Sequence, residues 1–199
     1  MSKHSEEKQR CGWCLGSPLE MAYHDTEWGT PLHDDQKLFE FLILEGAQAG
    51  LSWVTILKKR DNYRAAMDNF DAEKIARYDE NKYNELMGNA GIVRNRLKIS
   101  STISNAQLFL DVQSEYGSFD KWIWQFVGGE PKVNNWQTMS DVPSNTAASD
   151  AMCKALKKKG FRFVGTTICY AFMQATGMVN DHSVDCFRHA QLKYQQASE

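Results

Sequence analysis

No run of apolar residues in this chain is long enough to cross a bilayer. The first ten residues, MSKHSEEKQR, hold no apolar stretch that would serve as an export signal. Both absences point to a soluble, cytoplasmic protein. No segment of useful length alternates apolar and polar residues, so no β-sheet is expected. Solenoid-length repeats and low-complexity segments are missing too. There is no excess of positive charge: the net charge is −2. That argues against a strongly basic nucleic-acid binder and leaves a local basic face open. Cysteines are few and odd in number, five. Without an export signal they read as thiols or metal ligands rather than a disulfide framework.

What is present is a helical pattern. The 199 residues, 42% of them apolar, suffice for one sizeable domain or two small helical lobes around a cleft. The fold class expected is all-α. Residues 1–10 read as a disordered tail, 11–187 as the folded domain and 188–199 as a C-terminal tail. Within the domain, 11–31 is rich in Gly, Pro and Trp and reads as an ordered loop. Helices are expected over 34–46, 51–69, 71–77, 79–88 and 92–115. Ser118 begins another, which Gly128-Gly129 ends. Residues 129–147 read as a loop. A helix runs from Ser149 to Lys159, and Thr166 or Thr167 caps the next, to about 176.

The stretch Leu38–Trp53, LFEFLILEGAQAGLSW, is the focus. Leu38, Phe41, Leu42, Glu45 and Ala49 fall on one helical stripe, and only Glu45 is polar. Burial disfavours its charge, and so does the negative end of a helix dipole if the helix stops at Gly46. Most glutamates are exposed, so the pattern alone favours a Glu45 turned to solvent at a frayed helix end. The other reading is a recognition or catalytic carboxylate at the wall of an aromatic pocket.

Three constellations carry chemistry. Cys11, Cys14, His24, His182 and Cys186 offer the thiolate and imidazole ligands that tetrahedral zinc prefers, and His182 and Cys186, four apart, would share a face if they lay on a helix. The competing reading, a redox Cys11-Gly12-Trp13-Cys14 motif, lacks the βαβ context it normally needs. Second, Leu156–Thr167, LKKKGFRFVGTT, reads as helix, glycine-bracketed turn and helix. Backbone N–H groups around Gly160, Gly165 and Thr166 can hold a DNA phosphate, with Lys158 and its neighbours adding charge. An ordinary helical hairpin with a solvated lysine run is the bland alternative. Third, Trp13, Tyr23, Trp28 and Trp53 are either core or a stacking set for a planar base.

At these residues the chain closely resembles the DNA-3-methyladenine glycosylase I family, zinc-containing members of the helix-hairpin-helix glycosylases. The resemblance lies in Cys11-Gly12-Trp13, AYHDTEWG at 22–29, LEGAQAGLSW at 44–53, AGIVRNR at 90–96, LKKKGFRFVGTTICY at 156–170 and VNDH at 179–182. It implies a helix-hairpin-helix glycosylase fold with one structural zinc per chain, held by Cys11, His24, His182 and Cys186, joining the two ends. It implies that Glu45, Tyr23, Trp53 and Trp28, with Trp13 close by, shape a pocket for a flipped base. The Gln48–Leu51 loop (Gln48, Ala49, Gly50, Leu51) would probe or fill the gap left in DNA. The implied activity is monofunctional, hydrolytic excision of 3-methyladenine from double-stranded alkylated DNA, with Glu45 as the catalytic carboxylate. The free base and an abasic site are the products, the protein is a monomer, and no membrane is involved. Cys14 is a spare thiol, and Glu20 stands where another aromatic would be expected. VNDH places Asn180 where related enzymes carry a catalytic Asp, with Asp181 next to it, so no catalytic Asp is assigned. Two other readings are a non-catalytic binder of alkylated DNA and a zinc-stapled helical interaction domain.

Overall fold

The structure, a computed structural model, describes residues 8–196. The architecture is helical. A 3-10 turn over Gly12–Gly16 leads into α1 (Pro18–Thr26), so the loop expected over 11–31 is largely helix. Ser17 begins it: its hydroxyl accepts from the Leu19 N–H, and Pro18, which has no N–H to lose, follows at the first helical position.

α2 (Asp35–Gln48) is the central helix. The Asp34 carboxylate accepts from the Lys37 N–H and starts it. Every residue from Leu38 to Ala47 is buried, and α2 touches α3 (Trp53–Ala66), α6 (Arg96–Tyr116), α7 (Phe119–Trp124) and α9 (Thr166–Ala175). It runs through Gly46 instead of stopping there. Between α3 and α6 lie α4 (Ala72–Ile75) and α5 (Glu80–Gly88), capped by the Asp71 and Asp79 carboxylates at the expected starts, 71 and 79. α3 ends at Ala66, short of the expected 69, because Asp68, Asn69 and Phe70 all take positive φ. α6 starts at Arg96, where the Asn95 side chain accepts from two backbone N–H groups. Gly117 ends it at φ +86°.

Residues 129–147 are not wholly loop. β1 (Lys132–Val133) pairs in parallel with β2 (Val179–Asn180), and Met139–Asp141 forms a 3-10 turn. α8 (Ala147–Lys159) is capped by Thr146 in a reciprocal box with Ser149, which is therefore the third residue of the helix rather than its start. Gly160 closes α8 at φ +100°. The N-cap of α9 is Gly165, and Thr166 is already helical. Its hydroxyl donates to Asp150 instead of capping. The chain beyond 187, expected as a tail, carries α10 (Phe187–Gln196), and Leu192 is buried. Residues 1–7, most of the expected N-terminal tail, lie outside the described part. Among the described residues no helix is long and apolar enough to cross a membrane.

Candidate base pocket and metal centre

The stripe that made Glu45 suspect places it inside. Glu45 is 4% exposed, in the last turn of α2. No described residue gives it a hydrogen bond or an ion pair, and burial alone pushes its carboxyl up to about 8. It faces a cavity of about 390 Å³ together with Trp13, Tyr23, Trp28, Gln48, Trp53, Met139, Ala171 and Gln174. That is within the usual range for small-molecule sites. All five residues expected to read the base line this one cavity. Glu20 does not.

The cavity wall is aromatic and rich in unused donors. Tyr23 and Trp53 have ring centroids 5.4 Å apart, and Trp13 meets Trp28 edge-on at 5.2 Å. The Trp13 and Trp53 indole N–H groups and the Tyr23 hydroxyl are buried without a hydrogen-bond partner. Buried polar groups are normally satisfied, so three unpartnered donors sealed within the wall, beside the unpartnered Glu45 carboxylate, mark this wall as chemically unusual. Burial and the Glu45 charge both raise the Tyr23 phenol well above its ordinary value, which keeps it a donor.

Behind that wall stands the metal candidate. Cys11, His24, His182 and Cys186 are all buried, with their ligand atoms within 4.8 Å of one another. His24 Nε2 lies 3.2 Å from His182 Nδ1, and the Cys186 sulfur lies 3.4 and 3.5 Å from those same atoms. Metal–ligand bonds of about 2.0–2.1 Å to nitrogen and 2.3 Å to sulfur give tetrahedron edges of about 3.3–3.8 Å, close to these separations. The outer imidazole nitrogens fix the tautomers. His24 Nδ1 faces the Asp25 carboxylate at 2.9 Å, and His182 Nε2 faces the Trp28 carbonyl at 3.1 Å. Both partners only accept, so both outer nitrogens donate. The inner nitrogens then point lone pairs at each other, an arrangement that a cation between them satisfies. The Cys11 sulfur lies 3.6 Å from the same His182 Nδ1, so both thiols border this gap. As thiolates, Cys11 and Cys186 would need a positive centre between them. Cys14 stays outside, its thiol donating to the Cys11 carbonyl at 3.1 Å.

α1 connects the two sites. Tyr23 and His24 are adjacent, one facing the cavity and the other the metal cluster. Trp28 lies 4.6 Å from His182, ring to ring. Gly29, at φ +78°, lets the chain pass close by; a Cβ there would stand 3.0 Å from His182 Nε2.

A depression of about 220 Å³ adjoins the cavity, sharing Glu45, Gln48 and Ala171 and adding Ala49, Gly50, Leu51, Thr167 and Ile168. The Gln48–Leu51 loop therefore stands at the cavity mouth, with Gly50 at φ +78° and Leu51 42% exposed. Lys98 of α6 anchors it. Its ammonium donates to the Ala47 and Ala49 carbonyls at 2.7 and 2.6 Å, placing a cation on the negative end of α2. The α8–α9 turn lies behind α2. Asn105 clamps it, accepting from the Arg162 N–H and donating to the Arg162 carbonyl, both at 3.0 Å. No side chain caps α9, so its first N–H groups are free for an anion, with the exposed Lys158 on the preceding helix.

Met139, Ala171 and Gln174 were not expected in the cavity. For Gln174 there was a signal: it is the one amide on an otherwise apolar face of TTICYAFMQA. Met139 arrives from a loop and carries none.

A family model described as methyladenine glycosylase matches residues 13–189. The chain is 53% identical over 178 residues to DNA-3-methyladenine glycosylase 1 of Escherichia coli strain K12, covering 89% of this chain and 95% of that one. Among solved structures it resembles a crystal structure of 3-methyladenine DNA glycosylase I, with a TM-score of 0.88 and 52% identity over 90% of this chain and 98% of the other. It also resembles a tyrosine-to-phenylalanine variant of 3-methyladenine DNA glycosylase I in complex with 3-methyladenine, with a TM-score of 0.86 and 36% identity over 89% of this chain and 96% of that chain.

Proposed function

This chain belongs to the methyladenine glycosylase family, and we propose that it excises 3-methyladenine from alkylated duplex DNA with Glu45 as the carboxylate that reads the base. It is a hydrolase of N-glycosyl bonds and a DNA repair enzyme. The observation that carries the reading of the site is the unpartnered Glu45 in the 390 Å³ aromatic cavity.

An N3-methylated adenine in DNA is cationic, so its leaving group is already activated. When the C1′–N9 bond breaks, the electron pair neutralises the base and positive charge moves to the sugar. Water adds at C1′ and releases a proton, leaving an abasic site. The enzyme's task is to extrude the base, at a few kcal/mol, and to hold it. Glu45 accepts from the exocyclic amine and favours a positive ring, and the faces of Trp53 and Tyr23 favour it further. The guest's charge also draws Glu45 toward its ionised form. No lysine lines the cavity, which suits water rather than an amine as the nucleophile.

Zinc suits the four-ligand cluster, and with every position filled by protein its part is structural. It would tie α1 to the segment before α10 and brace the wall formed by Trp28 and Tyr23. The α8–turn–α9 unit supports a helix-hairpin-helix grip on a DNA phosphate, with the Gln48–Leu51 loop entering the duplex. Chromatography of bases released from methylated DNA tests the reading.

A further inference from the structure

Asp181 follows Asn180 in the VNDH segment and is fully buried. Its Oδ1 accepts from Asn134 Nδ2 at 2.6 Å and from Trp136 Nε1 at 2.8 Å. Its Oδ2 accepts from the Tyr170 hydroxyl at 2.6 Å and from Gln174 Nε2 at 2.9 Å. With both oxygens doubly occupied and sealed from the cavity, it has no capacity left to act on a substrate or a water.

Its effect passes through Gln174. A carboxylate holding three other donors can only accept, so the Gln174 amide must turn its NH2 toward Asp181. The amide oxygen then points away. Gln174 lines the base cavity, and its Oε1 takes no hydrogen bond from any described residue. Nor is that oxygen among the sealed, unpartnered atoms. It is an open acceptor on the cavity surface. The Tyr170, Asn134 and Trp136 contacts keep Asp181 from turning, so the orientation of Gln174 is locked over two shells.

We infer that Gln174 is a specificity-determining residue, presenting a fixed acceptor that, together with Glu45, selects the exocyclic amine of an adenine-type base. This inference rests on the base-excision reading above. Adenine carries an N6 amine with two N–H donors where guanine carries the O6 acceptor. Two acceptors, Glu45 and Gln174 Oε1, match the two N–H groups. A methylated guanine at the same place meets acceptor with acceptor, and a site built to hydrogen-bond one group discriminates against an analogue that cannot. Asp181 is the positioning residue that forbids the amide flip that would otherwise accommodate O6.

The test uses the full chain and methylated duplex DNA containing both 3-methyladenine and 3-methylguanine, with each released base quantified over time. Gln174→Met keeps the side chain's size and removes the acceptor together with the NH2 bonded to Asp181. The expected result is a 3-methylguanine to 3-methyladenine release ratio about 3–10-fold above the unaltered protein's, in a protein that folds but melts a few degrees lower because Asp181 has lost one donor. Asp181→Asn, whose amide can pair with either end of Gln174, should shift the ratio in the same direction. An unchanged ratio in folded Gln174→Met overturns the inference, as does an equal loss of both bases, the signature of a merely structural role. Failure of the unaltered protein to release any 3-methyladenine would sink the excision reading itself, so the two failures are distinguishable.

Discussion

Gly46 of α2 lies flat against Phe163 of the α8–α9 turn: a Cβ added at Gly46 would stand 3.1 Å from the Phe163 Cβ and 3.2 Å from its carbonyl oxygen. The neighbour of the carboxylate proposed to read the base thus touches the turn proposed to hold DNA. Phe163 has little freedom to yield, since it sits at φ +56° beside Arg162, which Asn105 clamps on both sides. In Gly46→Ala, overpacking of about 1–3 kcal/mol competes with about 1 kcal/mol gained in helix propensity. A net destabilisation of about 1 kcal/mol is expected in urea melts, with slower base release. Stability equal to or above the unaltered protein's would mean that the turn gives way freely.

Gly165 offers a cleaner test of the phosphate grip. Its φ of −62° is that of proline, and a Cβ there would meet nothing closer than Ile168 Cδ1 at 4.0 Å. Gly165→Pro therefore deletes one N–H at the start of α9 at a φ and a Cβ position that proline fits. Duplex affinity should fall about tenfold or more, as expected for a bond to a charged group, and the salt dependence should become shallower. Base preference and melting temperature should not move. Unchanged affinity at every salt concentration would clear Gly165 of contact with DNA.

Freshly purified protein should carry one zinc per chain. Cys11→Ser should lose it and melt several degrees lower, because a structural metal contributes directly to folding. Cys14→Ser should keep it, the Cys14 sulfur being bonded to the Cys11 carbonyl outside the cluster. Metal analysis decides: absence of zinc, or full retention in Cys11→Ser, contradicts the four-ligand assignment.

Glu45 makes stability depend on pH. Its folded value of about 8 lies above the ordinary 4.5, so between those values the folded state holds a proton that the unfolded state has lost. The Glu45 contribution to stability therefore falls as pH rises from about 4.5 to 8 and levels off above. Each unit corresponds to about 1.4 kcal/mol. Glu45→Gln abolishes this loss, so its advantage in urea melts should be larger at pH 8.5 than at pH 5.5. An equal difference at both pH values would place Glu45 in solvent.

Short-range chemistry was legible in the sequence. The helices expected to open at 34, 71, 79 and Ser118 are capped by Asp34, Asp71, Asp79 and Ser118, since a cap acts within three residues. Ser17-Pro18 is an equally local start signal, obscured by the glycines and tryptophans around it. At α8 and α9 the true caps, Thr146 and Gly165, precede the expected ones because polar residues crowd both starts. α10 was missed because FRHAQLKYQQ is mostly polar, and its burial depends on partners far away in the chain. Glu45, the four aromatics and the Cys–His set were visible as chemistry out of place. The Asp181–Gln174 lock was not, because its four donors come from two separate segments and only their meeting gives them meaning.

The most direct test of the account is release of free 3-methyladenine from methylated duplex DNA, followed by chromatography for the unaltered protein and for Glu45→Gln, with zinc content and melting temperature measured on both. The expected result is rapid release by the first. Release by the folded, zinc-replete variant should be slower by about tenfold or more, corresponding to a lost charge-assisted contact of about 1.5–3 kcal/mol. No release by the unaltered protein, or equal rates for both, would contradict it.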